Sequence, residues 1–480
     1  MNYSMLGYVL RYIVMCEGFL MLLPGLVSVI YKEKSGFAFL TCVVLCILIA
    51  FPFTLRKPKN TDMQVKEGFI AVALGWIALS IMGALPFVIS GYIPNPIDAL
   101  FETVSGFTTT GASILRDVEA LPKSLLFWRS FTHWIGGMGV LVFILTVLPM
   151  SGGNHMNLMK AESPGPSVDK LAPKVKTTAK ILYGIYVVMT LIQIIILILG
   201  KMPVFDAITI SFGSAGTGGF GVRNDSMASY GTFCQVTVTV FMILFGINFN
   251  AYFLMISGRF KKALKNSEVI TYIIIILAAT GIICIDVLSY YNGDILTSIK
   301  QSFFQVGSII TTTGYATADF NLWPQISKTV LVLLMFIGAC AGSTGGGIKV
   351  SRFILLFKGL GKEFHNIVHP KSVKKVTLNG KVVGHEIVRS TNVYMTAYIF
   401  IFAISVFAIA FDGKDLITNF TAVAATFNNI GPGLAGVGPA ANFADFSNMS
   451  KLVLIFDMLA GRLEIFPMMI LFYHKAWKKF

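Results

Sequence analysis

Apolar residues gather along this chain in runs that are long enough to cross a lipid bilayer as helices. About 20 such residues span the hydrocarbon core of a membrane. Runs of this kind lie at 8–30, 37–55, 68–91, 125–149, 181–200, 232–257, 268–290, 326–357, 390–411 and 450–473. The pattern predicts about ten membrane-spanning helices.

Lysine and arginine concentrate in every second connection between these runs. The basic clusters lie at 56–66, 160–180, 259–265, 358–389 and 475–479, whereas the alternate connections are poor in basic residues. Loops rich in lysine and arginine stay on the cytoplasmic side of a membrane. The alternation therefore predicts that both chain termini are cytoplasmic, and an even number of spans agrees with this.

The opposite connections each hold a mildly apolar segment that is too short to span a bilayer and is followed by Thr, Gly and Asn. The four segments are DALFETVSGFTTTGAS (98–113), DAITISFGSAGTGGFG (206–221), SIKQSFFQVGSIITTTGYA (298–316) and NFTAVAATFNNIGPG (419–433). Each segment begins after an outward-going span and ends before an inward-going one. The chain thus repeats the order of span, short helix, glycine turn and span four times.

The four segments align on Gly111, Gly218, Gly314 and Gly431, at intervals of 218−111=107, 314−218=96 and 431−314=117. A period of about one hundred residues suits a module of two spans, and the first two spans stand outside it. We therefore predict an all-α polytopic membrane protein with four pseudo-symmetric helix–pore-loop–helix repeats around a central pore and an N-terminal two-helix hairpin. The predicted units are the hairpin at 1–60 and the repeats at 61–155, 156–265, 266–375 and 376–480.

Irregular backbone at membrane depth needs a reason, because its amide and carbonyl groups find no partner in lipid. A pore supplies one, since carbonyl oxygens after each short helix can replace the hydration shell of an ion. Glycine accepts the backbone angles of such a turn. A helix C-terminus carries about half a negative elementary charge, so four short helices that end at mid-membrane favour a cation. A single TTTG segment would indicate a small-residue helix contact, but four aligned copies predict a selectivity filter.

Acidic residues lie at or near the starts of the short helices. Asp98 and Glu102 belong to the first, Asp206 to the second, and Asp415 precedes the fourth. Aspartate commonly caps helix N-termini, and carboxylates at a pore mouth attract cations. The sequence leaves both interpretations open.

Composition excludes the soluble classes of protein. Of the 480 residues, 55% are hydrophobic and 13% are charged, with a mean hydropathy of +0.75, which a soluble enzyme does not tolerate. The net charge of +15 is spread between the spans, unlike the concentrated charge of a nucleic-acid-binding domain. Six cysteines without CxxC spacing are expected to be small buried hydrophobes. The apolar N-terminal run lacks a small-residue cleavage site and is expected to be a span.

Several motifs give the chain a resemblance to a known family. They are TTTGAS (108–113), WIGGMGV (134–140), AGTGGFG (215–221), TTTGYAT (311–317), GACAGSTGGGIKVSRF (338–353), NNIGPG (428–433) and AGRLEIFP (460–467). With the added hairpin, nearly the whole chain resembles the Trk/Ktr/HKT superfamily of potassium transporters, and most closely its Trk-type members. The resemblance implies potassium uptake across the cytoplasmic (inner) membrane, with K⁺ as the transported ion.

The same resemblance assigns backbone carbonyls of the four loops to a selectivity filter. The residues are Thr109, Thr110, Gly111, Gly216, Thr217, Gly218, Thr312, Thr313, Gly314, Asn429, Ile430 and Gly431. In HKT relatives a serine in place of Gly111 goes with Na⁺ transport, so the glycine favours K⁺. Ile430 replaces the threonine of the other loops, which implies uneven coordination and weaker selectivity than in a tetrameric channel.

A segment rich in small residues, 338–348, interrupts the eighth span, because so many glycines do not hold a rigid helix. The resemblance implies that it is a gating loop beneath the filter, although a close-packing patch is the alternative. The gating residues it implies are Gly342, Ser343, Thr344, Gly345, Gly346, Gly347 and Arg462. An arginine inside a span is costly and marks a functional site; here its charge would oppose cations, and Glu464 is a possible local partner. Snorkelling to the interface explains Arg11, Arg129 and Lys349.

Other functional classes find less support. Two GxGxxG strings, at 216–221 and 431–436, lack the βαβ context of a dinucleotide site, and scattered histidines form no catalytic arrangement. We therefore expect neither an enzyme nor an organic cofactor. The main alternative is a secondary transporter that couples K⁺ to H⁺ or Na⁺ through broken helices; such proteins usually contain inverted repeats, whereas these four run in the same direction.

The expected partners rest on the resemblance alone. In the family the membrane subunit is a homodimer, and its short basic segments, near 150–180 and 358–389 here, bind a cytosolic nucleotide-binding regulatory ring of the TrkA-like type. Membrane lipid is also an expected partner, and nucleic acid is not.

Overall fold

The computed structural model describes residues 1–54, 58, 63–139, 175–372 and 374–478. Within these ranges the regular structure is helical apart from one hairpin of two short strands, β1 (Thr377–Leu378) and β2 (Lys381–Val382). The end of the predicted fourth span, 140–149, and most of the basic cluster at 160–180 lie outside the described residues.

The N-terminal hairpin forms as predicted, although its first span consists of two successive helices. The helices are α1 (Tyr3–Leu20), α2 (Leu22–Ile30) and α3 (Gly36–Thr54). The turn before α3 is fastened to the first repeat, because the Glu33 carboxylate accepts hydrogen bonds of 2.6 and 3.0 Å from the amides of Lys123 and Ser124. The hairpin is thus an added element that packs against the repeats.

Four repeats of the same helix order follow the hairpin. The first contains α4 (Val65–Ile89), α5 (Pro96–Phe107) and α6 (Lys123–Gly137). The second contains α7 (Val175–Leu199), α8 (Val204–Gly216), α9 (Thr232–Phe245), α10 (Phe249–Ile256) and the short α11 (Phe260–Leu264). The third contains α12 (Ser267–Val287), α13 (Ile295–Ile310), α14 (Gln325–Ile337) and α15 (Val350–Val368), and the fourth contains α16 (His385–Ile409), α17 (Leu416–Phe427), α18 (Asn448–Arg462) and α19 (Phe466–Leu471).

The second helix of each repeat, here called the pore helix, is short. The pore helices α5, α8, α13 and α17 contain 12, 13, 16 and 12 residues. At about 1.5 Å per residue they measure roughly 18–24 Å, less than the hydrocarbon core of about 30 Å. Side chains of Asn95, Asp294 and Asp415 cap three of them by accepting a backbone N–H of the first turn. Capping is therefore the role of Asp415, as one of the two interpretations predicted.

In the second, third and fourth repeats the helix after the pore helix is interrupted. α9 meets α10 at an angle of 89°, and residues 338–349 separate α14 from α15. Between α18 and α19, Glu464 and Ile465 take left-handed backbone angles, with φ of 54° and 71°. The sequence predicted only the interruption after α14. Among the described residues, 5 helices are long and apolar enough to span a membrane, or 6 with the bent pair. The predicted crossings at 326–357 and 450–473 each consist of two shorter helices.

The C-terminal ends of the pore helices lie at the centre of the packing. A methyl group at Gly136 would overlap the carbonyl oxygen of Phe107, and one at Gly461 would overlap that of Phe427. Glycine therefore lets α6 and α18 touch the ends of the pore helices in the first and fourth repeats. Large apolar side chains such as Phe407, 70% exposed, cover the outside, as expected of a lipid-facing surface.

Candidate ion-conduction site

All four pore helices end in the same hydrogen-bonded turn. After α5, the amide of Thr109 donates to the Gly106 carbonyl at 3.1 Å and the amide of Thr110 donates to the Ser105 carbonyl at 2.8 Å. This pair of bonds defines a Schellman motif, which satisfies carbonyls that a helix end leaves free. The corresponding amide-to-carbonyl bonds are Thr217 to Ser214 and Gly218 to Gly213 after α8, and Thr312 to Ile309 and Thr313 to Ser308 after α13. After α17 they are Asn429 to Thr426 and Ile430 to Ala425.

In each of these turns the residue that donates the first hydrogen bond of the pair adopts the left-handed conformation, although none of the four is glycine. The φ angles are 55° at Thr109, 54° at Thr217, 59° at Thr312 and 55° at Asn429. Such a residue costs about 1–2 kcal/mol relative to the usual conformations, and strain of this kind concentrates at functional sites. Two residues later a glycine follows, also with positive φ: Gly111 at 80°, Gly219 at 79°, Gly314 at 84° and Gly431 at 101°.

This backbone pattern shifts the register of the second loop by one residue. The glycine that corresponds to Gly111 is Gly219, not Gly218 as the sequence alignment assumed. The intervals become 219−111=108, 314−219=95 and 431−314=117. Gly216 then belongs to the end of α8, and the second loop contributes residues 217–219. Adjacent glycines made the two registers indistinguishable in the sequence.

We call residues 109–111, 217–219, 312–314 and 429–431 the filter loops, and they form a closed ring. A methyl group at Gly111 would overlap the carbonyl oxygen of Gly218, and one at Gly219 would lie 3.1 Å from the Gly314 carbonyl carbon. One at Gly314 would overlap the Ile430 carbonyl oxygen. One at Gly431 would lie 2.8 Å from the Thr110 carbonyl oxygen, which closes the circle from the fourth loop to the first. The structure thus brings all four predicted turns together.

The fourth filter loop keeps the shared backbone despite its different side chains. Ile430 makes the same amide hydrogen bond as its counterparts, and its side chain is buried in an apolar cluster with Leu334 and Ala424. Asn429 links this loop to the first, because its side-chain amide donates to the Thr110 hydroxyl and to the Met458 carbonyl at 2.9 Å each. Replacement of threonine by isoleucine therefore does not distort the backbone of the ring.

The segment between α14 and α15, residues 338–349, lies against the filter loops, and we call it the gate loop. The amide of Gly346 donates to the Thr312 hydroxyl at 2.6 Å, and the amide of Gly347 donates to the Asn428 carbonyl at 3.0 Å. A methyl group at Gly345 would lie 2.9 Å from the Thr311 carbonyl oxygen. The gate loop therefore touches the ends of the third and fourth pore helices directly.

The first helix of the same repeat and the end of α9 in the second repeat hold the gate loop in this position. One carboxylate oxygen of Glu268, at the start of α12, accepts the amides of Ala341 at 2.7 Å and Ser351 at 3.1 Å. On the second repeat, the Gly246 carbonyl accepts the amide of Cys340 at 3.1 Å. One carboxylate thus joins both ends of the gate loop, and sequence reasoning missed it because a glutamate in a first helical turn resembles an ordinary helix-start residue.

Arg462 connects the gate loop to the first repeat. Its guanidinium donates to the Thr344 carbonyl at 2.9 Å and to the Gly137 carbonyl at 3.0 Å, and it also bonds the Gly136 carbonyl. Glu464, which the sequence offered as a possible local partner, instead forms its ion pair with Arg352, which follows the gate loop. The reason is the left-handed turn after α18, which aims the two neighbouring side chains at different partners.

The explanation of Arg129 and Lys349 by snorkelling is also wrong. Arg129 is 3% exposed and pairs with Glu102, and Lys349 is 9% exposed with its amine bonded to the Gly345 carbonyl of the gate loop. Both charges are neutralised or bound inside the protein instead of reaching the membrane interface. A partner that lies 27 residues away, on another helix, leaves no local signal in the sequence.

The acidic residues at the outer ends of the pore helices have protein partners. Asp98 pairs with Lys451 at 2.6 Å, and Asp206 accepts the Tyr230 hydroxyl at 2.8 Å. Hydrogen bonds from Thr418 lower the pKa of Asp415, because they stabilise the carboxylate. These groups thus stabilise helix starts and loop contacts.

Comparison with known proteins assigns the family. The family model described as TrkH, cation transport protein, matches residues 35–479. The Trk system potassium uptake protein TrkH of Salmonella typhimurium is 38% identical over 469 residues, with 96% of each chain covered. The protein of the same name from Escherichia coli K12 is 38% identical over 470 residues, again with 96% of each chain covered. The crystal structure of the potassium transporter TrkH from Vibrio parahaemolyticus superposes with a TM-score of 0.89 at 31% identity and covers 100% of both chains.

These matches confirm the predicted fold class and the prediction that the chain is not an enzyme. They extend over nearly all of the sequence, so they include the hairpin, the filter loops and the gate loop. The chain belongs to the TrkH family of cation transport proteins.

Proposed function

We propose that this protein takes up K⁺ across the cytoplasmic membrane through the ring of filter loops. The observation that carries the proposal is the closed circle in which each filter loop packs on the next. Backbone in this conformation presents carbonyl oxygens that can replace the hydration shell of an ion. Potassium is the ion because relatives at 38% identity over 96% of the chain are named potassium uptake proteins.

The electrostatics of the ring favour a cation. Four pore helices direct their C-terminal ends at it, and each end carries about half a negative elementary charge. The filter loops contain no ionisable side chain that would add to or cancel this field. We assign the coordinating carbonyls to residues 109–111, 217–219, 312–314 and 429–431, so that Gly219 takes the place of Gly216 in the second set and Gly218 is its central residue.

Gating follows from the position of the gate loop. In the proposal, its contacts with Thr312 and Asn428 represent the closed state, and the positive charge of Arg462 beside Thr344 opposes cations below the ring. Opening requires the gate loop to leave these contacts. A cytosolic nucleotide-binding partner of the TrkA-like type, acting on a homodimer through the basic segments near 150–180 and 358–389, is the proposed source of that movement.

The remaining predictions of the sequence are part of the same proposal. Both termini and the basic clusters face the cytoplasm, and the units are the hairpin at 1–60 and repeats at 61–155, 156–265, 266–375 and 376–480. Symport of K⁺ with H⁺ or Na⁺ is the second candidate, and the interrupted second spans of the second, third and fourth repeats favour it, because broken helices are typical of secondary transporters.

The test is Rb⁺ flux into proteoliposomes in competition with Na⁺. Gly111→Ser adds a side chain where the Gly218 carbonyl already lies, at a φ of 80° that serine rarely adopts. It is expected to relax the discrimination against Na⁺. Gly91→Ser is the matched control, because Gly91 has a φ of 78° but nothing within 4 Å of an added methyl group.

An unchanged ion preference in Gly111→Ser, with Gly91→Ser also unchanged, would contradict the filter assignment. A second measurement separates the two candidates. A channel-like pore passes Rb⁺ at the same initial rate whether or not a pH or Na⁺ gradient is imposed at fixed membrane potential, whereas an inward gradient of the coupled ion accelerates Rb⁺ uptake by a symporter.

A further inference from the structure

We propose that Glu102 and Arg129 act as a positioning pair that sets the ion preference of the filter by holding the first and second filter loops at a fixed separation. The inference rests on the proposed function of the ring. It concerns two buried residues that do not touch the ion.

Glu102 fastens the first pore helix to the chain that leaves the first filter loop. It lies in α5 and is 1% exposed. One carboxylate oxygen accepts the Ile114 amide at 3.0 Å, and both accept the Ser113 hydroxyl, at 3.0 and 3.1 Å. Because Ser113 follows Gly111 by two residues, this carboxylate fixes the path of the chain directly after the filter.

Arg129 extends the connection to the second filter loop. Its guanidinium lies 2.8 Å and 2.7 Å from Glu102 through two nitrogens, and a third donates to the Gly221 carbonyl at 3.2 Å. The same group stacks over the Phe220 ring at 4.0 Å. Gly221 follows Gly219 by two residues, so the ion pair joins equivalent points of two adjacent loops.

A histidine on the same helix makes a parallel connection. Nδ1 of His133 lies 2.7 Å from the Gly106 carbonyl, and Nε2 accepts the Phe220 amide at 3.2 Å. Nε2 can accept only if the ring proton is on Nδ1, which then donates to Gly106. Arg129 and His133 together therefore clamp the first pore helix to the second loop.

The third and fourth repeats carry uncharged versions of the tether that Glu102 makes. Gln305 stands 12 residues before Thr317, as Glu102 stands 12 before Ile114. With its amide group oriented to satisfy its neighbours, Gln305 accepts the Thr317 amide at 3.0 Å. In the fourth repeat the Thr421 hydroxyl accepts the Leu434 amide at 3.0 Å. A tether from pore helix to filter exit thus occurs in the first, third and fourth repeats, and in the first repeat it is charged and reaches the neighbouring loop.

The charge explains why the pair affects selectivity and not only folding. Discrimination between K⁺ and Na⁺ depends on how firmly the carbonyls keep their spacing around the ion. Removing one member leaves a buried charge without its partner, and that charge will pull on the Ser113 or Gly221 side of the ring. The separation of the first two loops then changes while the other two keep their uncharged tethers.

The experiment measures the ratio of Rb⁺ to Na⁺ uptake by purified full-length protein in proteoliposomes for Glu102→Gln, Arg129→Gln and the double variant. Each single variant is expected to lower the ratio about tenfold, the factor that corresponds to one charge-assisted hydrogen bond. The double variant is expected to recover part of the ratio, because it leaves no buried charge without a partner and a glutamine at 102 can still tether Ile114 as Gln305 tethers Thr317. Arg116→Gln is the matched control, since it breaks the exposed pair with Asp445.

The outcomes separate the possible roles. A lower total flux with an unchanged ratio in the single variants would show a merely structural pair and overturn the proposal. If a single variant yields no folded protein, Arg129→Lys replaces it: it keeps the charge but cannot bond Glu102 and Gly221 together, so its ratio must also fall. If Gly111→Ser changes the ratio and these variants do not, the proposed role of Glu102 and Arg129 is wrong and the filter assignment is retained. If none of them changes it, the proposed function fails as well.

Discussion

Replacing Arg462 by alanine tests the gate most sharply, because this side chain alone connects the gate loop to α6 among the contacts described above. The substitution removes the bonds to the carbonyls of Thr344, Gly136 and Gly137. It also removes the positive charge below the ring. Both changes favour an open path for cations, so we expect a higher flux.

The structure gives the size of the effect. Of the three bonds, only the 2.9 Å bond to Thr344 involves the gate loop. A hydrogen bond from a charged donor contributes about 1.5–3 kcal/mol. Since about 1.4 kcal/mol corresponds to a factor of ten, the ratio of open to closed protein is expected to rise about tenfold to a hundredfold. Flux rises in proportion while the open state remains the minor one.

The assay is Rb⁺ uptake per folded protein in proteoliposomes without a cytosolic partner. Arg462→Lys keeps the charge but cannot bond Thr344 and the α6 carbonyls with one planar group. It therefore separates the effect of the hydrogen bonds from the effect of the positive charge. Arg259→Ala, at an exposed arginine, serves as the control. An unchanged or lower flux in Arg462→Ala, with Arg259→Ala at the wild-type level, would refute the reasoning.

Two further predictions concern contacts away from the ring. Glu268→Ala removes the acceptor that joins Ala341 to Ser351 and is expected to raise basal Rb⁺ flux severalfold with an unchanged Rb⁺ to Na⁺ ratio. Glu268→Gln can still accept these hydrogen bonds, so its flux should change less. An altered Rb⁺ to Na⁺ ratio would instead indicate that Glu268 affects the filter. Asp415→Ala removes a helix cap and is expected to lower stability by about 1 kcal/mol, measured as Tm. Because hydrogen bonds from Thr418 depress the pKa of Asp415 below its ordinary 3.8, this contribution is complete at neutral pH and disappears as pH falls through that lowered pKa; a Tm difference that persists in strong acid would contradict it.

The sequence predicts the architecture because a lipid bilayer requires apolar runs of a given length at regular intervals along the chain. Runs of apolar residues, alternate basic connections and four short segments ending in glycine are each physical requirements of a membrane pore. The same reasoning gives the position of the gate loop, since ten residues rich in glycine cannot continue a helix. The sequence does not determine the register of the second filter loop, because either Gly218 or Gly219 satisfies the pattern. Only the structure, in which the Gly218 amide donates to the Gly213 carbonyl, distinguishes them.

Side-chain partners could not be predicted because they join distant parts of the chain. Glu464 lies two residues from Arg462 but pairs with Arg352, 112 residues away. Arg129 looked like an interfacial charge because its sequence neighbours are apolar, and its carboxylate partner belongs to a different helix. The interruptions after α9 and α18 escaped prediction for another reason, since single glycines within apolar runs are also common in unbroken membrane helices.

Binding of the ion inside the ring can be seen in an anomalous diffraction map from crystals of this protein grown in Rb⁺. We expect a peak on the axis shared by Thr110, Gly218, Thr313 and Ile430, within coordination distance of carbonyls from all four filter loops, and a weaker peak in Gly111→Ser crystals. A wild-type map with Rb⁺ bound elsewhere in the membrane region and none inside the ring would contradict it.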